Sequence, residues 1–228
     1  IDGPLLTSET SFTAFHPIPV RYGMTMVELS QMISAERNFK ADLTVIPIEN
    51  WSRDLWFDRT GLPWINPSPN MRSLAEATLY PGVGLLETTA LSVGRGTDTP
   101  FEVIGAPYID DVQLTEELNQ AGLVGVRFVP VRFMPKASVF QGKLCAGVNI
   151  ILTDRDHCSV VDVGLTIAQV LHRLYPGDFD IERFNRLLGH SATIDALKSG
   201  KSLAEIKKTW STDLEEFQKR RAKYLLYK

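Results

Sequence analysis

Two glutamates and an arginine surround a glycine-rich turn of this 228-residue sequence. Arg95 lies between Gly94 and Gly96 in the stretch SVGRGT, and Glu87 and Glu102 flank that stretch on either side. Glycines allow the backbone to approach a ligand closely, and a guanidinium presents a planar pair of donors to a carboxylate. Paired carboxyl groups are typical of glycoside hydrolysis, in which one is protonated and the other is ionised. The pattern therefore indicates a polar small-molecule site in which Arg95 binds a carboxylate.

Each of these side chains also has a structural interpretation. Arg95 could hold its own turn by donating to loop carbonyl groups, and Glu87 could accept hydrogen bonds from the loop backbone. Glu102 lies inside an apolar stretch, which favours an edge or capping role. A phosphate-binding loop is disfavoured, because no Gly-Lys-Ser/Thr sequence follows the turn and a strand pattern comes next.

Two more loops of small and rigid residues lie close to this turn in sequence. They are PSPN at residues 67–70 and GAP at residues 105–107. Three such segments in so short a stretch predict loops that converge on one site. Asn70 either presents its amide to a ligand or caps the helix that begins near Ser73, and Tyr108 directly follows the GAP turn.

Other clusters of chemically active residues favour structural roles. Trp51, Trp56 and Trp64 could stack on sugar rings, but tryptophans at this density are usually partly buried in a core. Residues 154–157, DRDH, resemble a metal or acid–base cluster. Four adjacent side chains cannot all face one ion, so a solvated turn with an aspartate cap is favoured instead.

The elements that must position these residues alternate between strand and helix patterns, which predicts an α/β fold with a mixed sheet and a helical C-terminal section. Capping-box patterns mark three helix starts, at Thr25, Ser73 and Ser202. Strands are predicted at residues 42–48, 101–104, 126–133 and 148–153. Residues 1–22 are expected to form an extended connector, because each proline biases the residue before it away from a helix. Pro81-Gly82 is expected to break or bend the second helix. One final helix is expected to include Leu203 and Phe217.

Composition and charge disfavour several classes of function. The net charge of −3 and the pI near 5.8 give no electrostatic case for nucleic acid or an anionic membrane surface. No apolar run approaches the roughly 20 residues that span a bilayer, which predicts no membrane insertion. Cys145 and Cys158 are not in a CxxC arrangement, so buried free thiols are favoured over a disulfide. The sequence begins with Ile1 and shows no leader pattern, so we expect a fragment or processed form whose export signal would lie upstream.

Long and irregular motifs show a resemblance to a known family. Three segments closely resemble the NamZ-type exo-β-N-acetylmuramidases. They are WINPSPNM at 64–71, YPGVGLLETTALSVGRGTDTPFEVIGAPYID at 80–110 and GVNIILTDRD at 147–156. These bacterial glycoside hydrolases remove terminal N-acetylmuramic acid from peptidoglycan fragments. Family members are longer and begin with a Rossmann-like domain. The resemblance therefore implies that residues 1–57 are the C-terminal tail of that domain, and that residues 58–228 form a smaller α/β domain with a helical C-terminus.

The resemblance also implies a role for this chain in cell-wall turnover and amino-sugar salvage. The chain would supply the substrate-facing wall of the enzyme, built from Asn70, Glu87, Ser92, Arg95 and Thr97, with Tyr108 at the rim. The glutamates that do the chemistry would lie in the missing Rossmann-like domain, so no catalytic residue is assigned and the fragment alone is expected to be inactive. The expected partners are that domain and peptidoglycan-derived amino sugars. The resemblance implies no metal or nucleotide cofactor. It also implies that the protein is secreted or periplasmic.

The sequence departs from the family motif beside the glycine-rich turn. Where the family reads roughly EGTNLSEGRGT, this chain has Thr88 in place of a glycine and Ala90 in place of an asparagine. By this resemblance, the second change would remove one polar contact to a sugar. An alternative function is therefore a non-catalytic carbohydrate-binding or assembly module, while a nucleotide-binding α/β enzyme would rest on the glycine-rich turn alone.

Overall fold

The computed structural model describes residues 1–7 and 14–227 of the chain. Within these residues the strands form two small sheets: β1 Asp2–Leu5, β2 Pro19–Arg21, β3 Val103–Ala106, β4 Val126–Phe133 and β5 Cys145–Leu152. The α-helices are α1 Met26–Glu36, α2 Leu74–Val83, α3 Asp111–Gln120, α4 Val160–Leu174, α5 Asn185–Leu188, α6 Ser191–Lys198, α7 Leu203–Lys207 and α8 Ser211–Arg221. Short 3-10 helices occupy Phe57–Arg59, Gly84–Thr88, Ile181–Phe184 and Ala222–Tyr224.

The larger sheet has the strand order β3–β5–β4, and both strands pair antiparallel with β5. The chain passes from β3 through α3 to β4, and then returns to fill the space between them with β5. One face of the sheet buries Ile104, Phe128 and Ile150 in the main hydrophobic core, to which α3 and α4 also contribute. The predicted α/β fold is confirmed. The mixed sheet in that prediction is corrected to an antiparallel one, because β5 separates the two parallel strands.

A side chain closes the outer edge of β4. The Asn119 amide donates from Nδ2 to the Phe128 carbonyl at 2.9 Å, and its Oδ1 accepts the Phe128 N–H at 3.1 Å. Two residues further along the strand, Pro130 has no N–H to donate. The amide of Asn119 therefore takes the place that a neighbouring strand would otherwise have at Phe128.

Helices α2 and α4 cross at two glycines. A Cβ atom on Gly82 would lie 1.8 Å from the carbonyl oxygen of Val160, and one on Gly164 would lie 2.4 Å from the carbonyl oxygen of Gly82. Helix α2 continues through Pro81 to Val83, so the predicted break does not occur at that point. Pro81 lies in the last turn of the helix, where its missing N–H costs one backbone hydrogen bond, and packing against α4 offsets that cost.

Two of the predicted elements are wrong in this structure. Residues 42–48 form no strand, and Ile46 and Ile48 expose 82% and 57% of their surface. An apolar run becomes a strand only where another strand pairs with its backbone. The nearby strands β1 and β2 pair with each other and not with residues 42–48. The single final helix is divided into α7 and α8, because the chain turns at Trp210, which is buried in the core.

The remaining predictions are mostly confirmed. The starts at Thr25, Ser73 and Ser202 are confirmed, since each hydroxyl accepts the backbone N–H of the residue three positions later. Cys145 and Cys158 are buried free thiols. The predicted connector, residues 1–22, contains β1 and β2, and its residues 8–13 lie outside the described residues. No helix in residues 1–7 and 14–227 is long and apolar enough to cross a membrane.

One buried carboxylate joins α1 to the C-terminal residues. Glu28 is fully buried, and it accepts the backbone N–H groups of Thr25 and Leu226, each at 2.8 Å, and Nη2 of Arg53 at 2.6 Å. Arg53 also donates to the carbonyl of Gly23 at 2.8 Å. Burial acts to raise the pKa of Glu28, but the two N–H donors and the Arg53 guanidinium together hold that pKa below its ordinary value.

Candidate functional site

The loops that the sequence predicts to converge do lie together. Arg72, which follows the PSPN turn, forms an ion pair of 3.4 Å with Asp98 of the glycine-rich loop. Ser73 donates its hydroxyl to Oε1 of Glu102, at the end of that loop, over 3.0 Å. The glycine-rich loop, residues 92–102, therefore lies between the PSPN turn and the strand that carries the GAP segment.

The backbone of residues 92–102 is held by the rest of the protein. Ser92 exchanges two hydrogen bonds of 2.9 Å with Gly105 of β3, and Lys136 donates its N–H to the Gly96 carbonyl at 2.9 Å. Gly96 has a φ of +81°, and a Cβ atom on it would lie 2.3 Å from the backbone nitrogen of Ala137. Glycine is therefore required at position 96 both for its conformation and for the close approach of the segment after β4.

Arg95 and Glu87 form an ion pair on the surface of this loop. Nε of Arg95 donates to Oε1 of Glu87 at 2.5 Å, and the Arg95 guanidinium lies 5.2 Å from the ring centroid of Phe101. The two side chains are 32% and 23% exposed. In the part of the chain that the structure describes, the η nitrogens of Arg95 and Oε2 of Glu87 have no hydrogen-bond partner. The pair can therefore offer donors and an acceptor to a ligand while it joins the 3-10 helix Gly84–Thr88 to the loop.

Glu87 also lines a cavity of about 500 Å³ between the β1–β2 sheet and the C-terminal end of α2. The neighbouring wall is largely apolar or aromatic and includes Leu6, Ile18, Val20, Tyr22, Tyr80 and Leu85. His16 belongs to the wall, but both of its ring nitrogens are occupied. Nε2 lies 2.7 Å from Oε2 of Glu36, and Nδ1 accepts Nε of Arg37 at 3.2 Å. His16 therefore holds the wall in place, while Glu87 keeps a carboxylate oxygen available to the cavity.

Two of the predicted site residues stabilise the glycine-rich loop from within. Ser92 is only 2% exposed, so its hydroxyl lies inside the protein, within 3.4 Å of the Gly94 nitrogen. Thr97 donates its hydroxyl to the Gly94 carbonyl at 2.6 Å. These contacts account for both side chains in the fold, and their contact with a substrate stays a prediction.

Asn70 and Tyr108 differ in how much of the side chain is available. Asn70 is half-buried in the PSPN turn, and the cap of the following helix is Ser73, so the capping alternative for Asn70 is wrong. Tyr108 is half-buried and donates its hydroxyl to the Ala90 carbonyl at 2.7 Å. Burial raises the pKa of the Tyr108 hydroxyl, so it stays a hydrogen-bond donor. Substrate contact by either residue stays a prediction.

The sequence offers Glu102 as a candidate carboxyl group but favours an edge or capping role for it. Its half-buried carboxyl group lies beside Ser73, and Glu76 is close enough for its charge to act on it. Burial raises the pKa of Glu102; the Ser73 hydroxyl acts to lower it, and the charge of Glu76 raises it further. Ser73 and Glu102 are 29 residues apart in sequence, so no local pattern announces their contact.

The DRDH segment is a capped turn, as predicted. Oδ1 of Asp154 accepts the N–H groups of Asp156 and His157, at 3.1 and 3.2 Å. Arg155 binds Asp58 through two hydrogen bonds of 2.8 and 3.1 Å. In residues 1–7 and 14–227 no group of three or more His, Cys, Asp or Glu side chains is placed to hold a metal ion.

Comparison with known proteins gives a consistent family. The family model described as the C-terminal domain of the exo-β-N-acetylmuramidase NamZ matches residues 78–227, and the corresponding N-terminal model matches residues 1–75. The chain is 42% identical over 231 residues to the peptidoglycan β-N-acetylmuramidase NamZ of Bacillus subtilis strain 168, and covers 56% of that protein. The predicted boundary between residues 57 and 58 stays a prediction.

Solved structures give the same fold. Crystal structures of two DUF1343 family proteins from Bacteroides fragilis NCTC 9343 superpose with TM-scores of 0.86 and 0.78, at 28% and 31% sequence identity. All of this chain is covered in both comparisons, together with 63% and 62% of the two crystallised chains. The chain therefore spans little more than half of the length of its relatives.

Proposed function

Because this chain belongs to the exo-β-N-acetylmuramidase NamZ family, we propose that it is part of a peptidoglycan hydrolase that removes terminal N-acetylmuramic acid. The chain supplies a wall of the substrate site, and the catalytic carboxyl groups belong to the part of its relatives that it does not span. The observation that carries the proposal is the partly exposed ion pair between Glu87 and Arg95, which lies on a loop whose backbone is fixed.

The free atoms of this pair match the chemistry of the sugar. N-acetylmuramic acid carries a lactyl carboxylate, which N-acetylglucosamine lacks, and the η nitrogens of Arg95 can donate to it. Oε2 of Glu87 can accept a hydrogen bond from a sugar hydroxyl or from the acetamido N–H. Arg95 then distinguishes the two amino sugars, while Glu87 holds the arginine in position.

An exposed apolar surface supports a further domain as partner. Between α1 and the PSPN turn, Phe39, Ile46, Ile48, Leu62 and Ile65 expose at least half of their surface, and Ile46 reaches 82%. Exposed apolar groups of this kind mark interaction surfaces. We propose that the rest of the Rossmann-like domain covers them in a longer protein, and that this protein is secreted or periplasmic.

One observation favours a second function. Ala90 stands where the family motif carries an asparagine, and its carbonyl group is occupied by the Tyr108 hydroxyl. A site that lacks this amide could bind a sugar without supporting turnover. A non-catalytic carbohydrate-binding module is therefore the alternative that the activity measurement must address.

The longest encoded form of the protein is expected to hydrolyse a chromogenic β-N-acetylmuramide and to leave the matching N-acetylglucosaminide intact. The isolated 228-residue chain is expected to show no turnover, because it lacks the proposed catalytic groups. An inactive long form that still binds the sugar would favour the binding module. Turnover by the isolated chain that disappears in Glu87→Gln would contradict the proposal and make Glu87 catalytic.

Arg95→Ala in the long form is expected to reduce the preference for muramic over glucosamine substrates by roughly tenfold to a hundredfold. This corresponds to about 1.5–3 kcal/mol for a hydrogen bond to a charged group. Arg95→Lys keeps the charge without the planar donors and should give an intermediate loss. Arg186→Ala, at an exposed position on α5, is the control. An unchanged preference in Arg95→Ala would mean that Arg95 only anchors Glu87.

A further inference from the structure

Tyr80, in the last turn of α2, carries an aromatic ring that the core leaves partly uncovered. The residue is 42% exposed, and it lines the cavity of about 500 Å³ that Glu87 also lines. The hydroxyl groups of Tyr108 and Tyr175 each form a hydrogen bond with the backbone of the fold. The Tyr80 hydroxyl has no such partner among the described residues. The fold therefore leaves both the ring and the hydroxyl group of Tyr80 available.

Two neighbours hold the Tyr80 ring in position. The ring packs edge-on against Phe101, with the two ring centroids 4.9 Å apart, and Phe101 is only 1% exposed. A Cβ atom on Gly84 would lie 3.0 Å from Cε2 of Tyr80, so the glycine leaves room for the ring to lie against the end of the helix. The guanidinium of Arg95 lies 5.2 Å from the ring centroid of the same Phe101. One buried ring is thus in contact with both Tyr80 and Arg95.

The groups beside this ring match the two kinds of surface that a sugar presents. A pyranose ring carries C–H groups on one face and hydroxyl groups at its rim. The face packs well on an aromatic ring, while the rim requires polar partners. Glu87 lines the same cavity as Tyr80 and is bonded to Arg95 at 2.5 Å. The volume of about 500 Å³ also lies within the roughly 300–1,000 Å³ of small-molecule sites.

We propose that Tyr80 is the residue on which the pyranose ring of the amino sugar stacks, in the cavity that Glu87 lines. The inference rests on the proposed function, which supplies the sugar. Arg95 binds the lactyl carboxylate, which only N-acetylmuramic acid carries, whereas Tyr80 contacts ring C–H groups that both amino sugars have. Tyr80 therefore contributes affinity without selectivity, and Arg95 contributes the selectivity.

The test measures the affinity of the longest encoded form for N-acetylmuramic acid and for N-acetylglucosamine, by NMR titration with each sugar. Tyr80→Ala should weaken both affinities about fivefold to tenfold, because each sugar loses the same apolar contact. The ratio of the two affinities should stay as in the wild type, since Arg95 and Glu87 are unchanged. Tyr80→Phe keeps the ring and should bind both sugars within about twofold of the wild type. Val112→Ala, at an exposed position on α3, is the control.

The outcomes separate this inference from the proposed function. A loss confined to N-acetylmuramic acid in Tyr80→Ala would show that Tyr80 only supports Arg95 through Phe101, and would overturn the inference. Equal losses in Tyr80→Phe and Tyr80→Ala would assign the effect to the hydroxyl group, and unchanged affinities would mean that the sugar does not contact Tyr80. Either result would also overturn the inference. Wild-type protein that binds neither sugar would contradict the proposed function itself.

A second measurement uses the wild type and does not depend on the folding of a variant. Protons on the face of a sugar that stacks on an aromatic ring are shielded by it, so their NMR signals should move upfield on binding. The same upfield shifts should appear with Tyr80→Phe and be absent with Tyr80→Ala. A sugar that binds the wild type without upfield shifts would overturn the inference.

Discussion

Glu28→Ala is expected to lower the free energy of unfolding by about 3 kcal/mol, because removing one partner of a buried ion pair leaves the other charge uncompensated. Glu28 is fully buried, whereas the Arg53 side chain is 24% exposed, which places the cost at the lower end for such pairs. The change also leaves the N–H groups of Thr25 and Leu226 without their acceptor. Urea unfolding followed by circular dichroism measures the difference, and Glu216→Ala on the exposed face of α8 is the control.

The contribution of Glu28 should also depend on pH in one direction. Its pKa in the folded chain lies below the ordinary value of 4.5, so the folded state favours the ionised form. The resulting stability is fully present above the pKa of the unfolded chain and is lost as pH falls through the pKa of the folded chain. The stability difference between wild type and Glu28→Ala should therefore shrink in acid. A difference that is equal at neutral and acidic pH would contradict the role of the ionised carboxylate.

Gly82→Ala is expected to destabilise the chain by about 3 kcal/mol, at the upper end for an overpacked core. The added Cβ would lie 1.8 Å from the Val160 carbonyl oxygen, so α2 and α4 must move apart. Leu79 and Val83 are completely buried beside this crossing and would lose packing with the movement. A shift in the thermal unfolding midpoint, measured by calorimetry, reports the loss.

Gly177→Ala is the matched control for this prediction. Gly177 has no atom within 4 Å of its would-be Cβ and does not have a left-handed φ. The same substitution should therefore be neutral, or should stabilise the chain slightly by restricting its unfolded state. Equal effects at positions 82 and 177 would show that the glycine contact between α2 and α4 carries no special packing requirement.

The elements could be predicted from the sequence where local chemistry decides them. Thr25 and Ser202 start helices because each hydroxyl meets a backbone N–H three residues away. β4 and β5 follow from runs of branched apolar residues. Local chemistry is insufficient at residues 42–48, where an equally apolar run has no strand beside it and remains irregular and mostly exposed.

The site was only partly predictable, because its contacts join distant parts of the chain. The sequence indicates Arg95 through its flanking glycines, but only the folded loop pairs it with Glu87. Ser73 and Glu102 are 29 residues apart, and Glu28 and Leu226 are 198 apart. Such pairs depend on how the elements pack, and no periodicity in the sequence reports that packing.

Closure of the larger sheet at both sides limits how copies of this protein can associate. At β4, Asn119 occupies the outward hydrogen-bonding groups of Phe128, and Pro130 offers no donor. At β3, Ser92 covers Gly105. A strand from a second molecule therefore finds no free backbone groups at Phe128 or at Gly105, and pairing of that kind is the step that starts fibrillar aggregation. These two contacts disfavour use of the three-stranded sheet as a template for polymerisation.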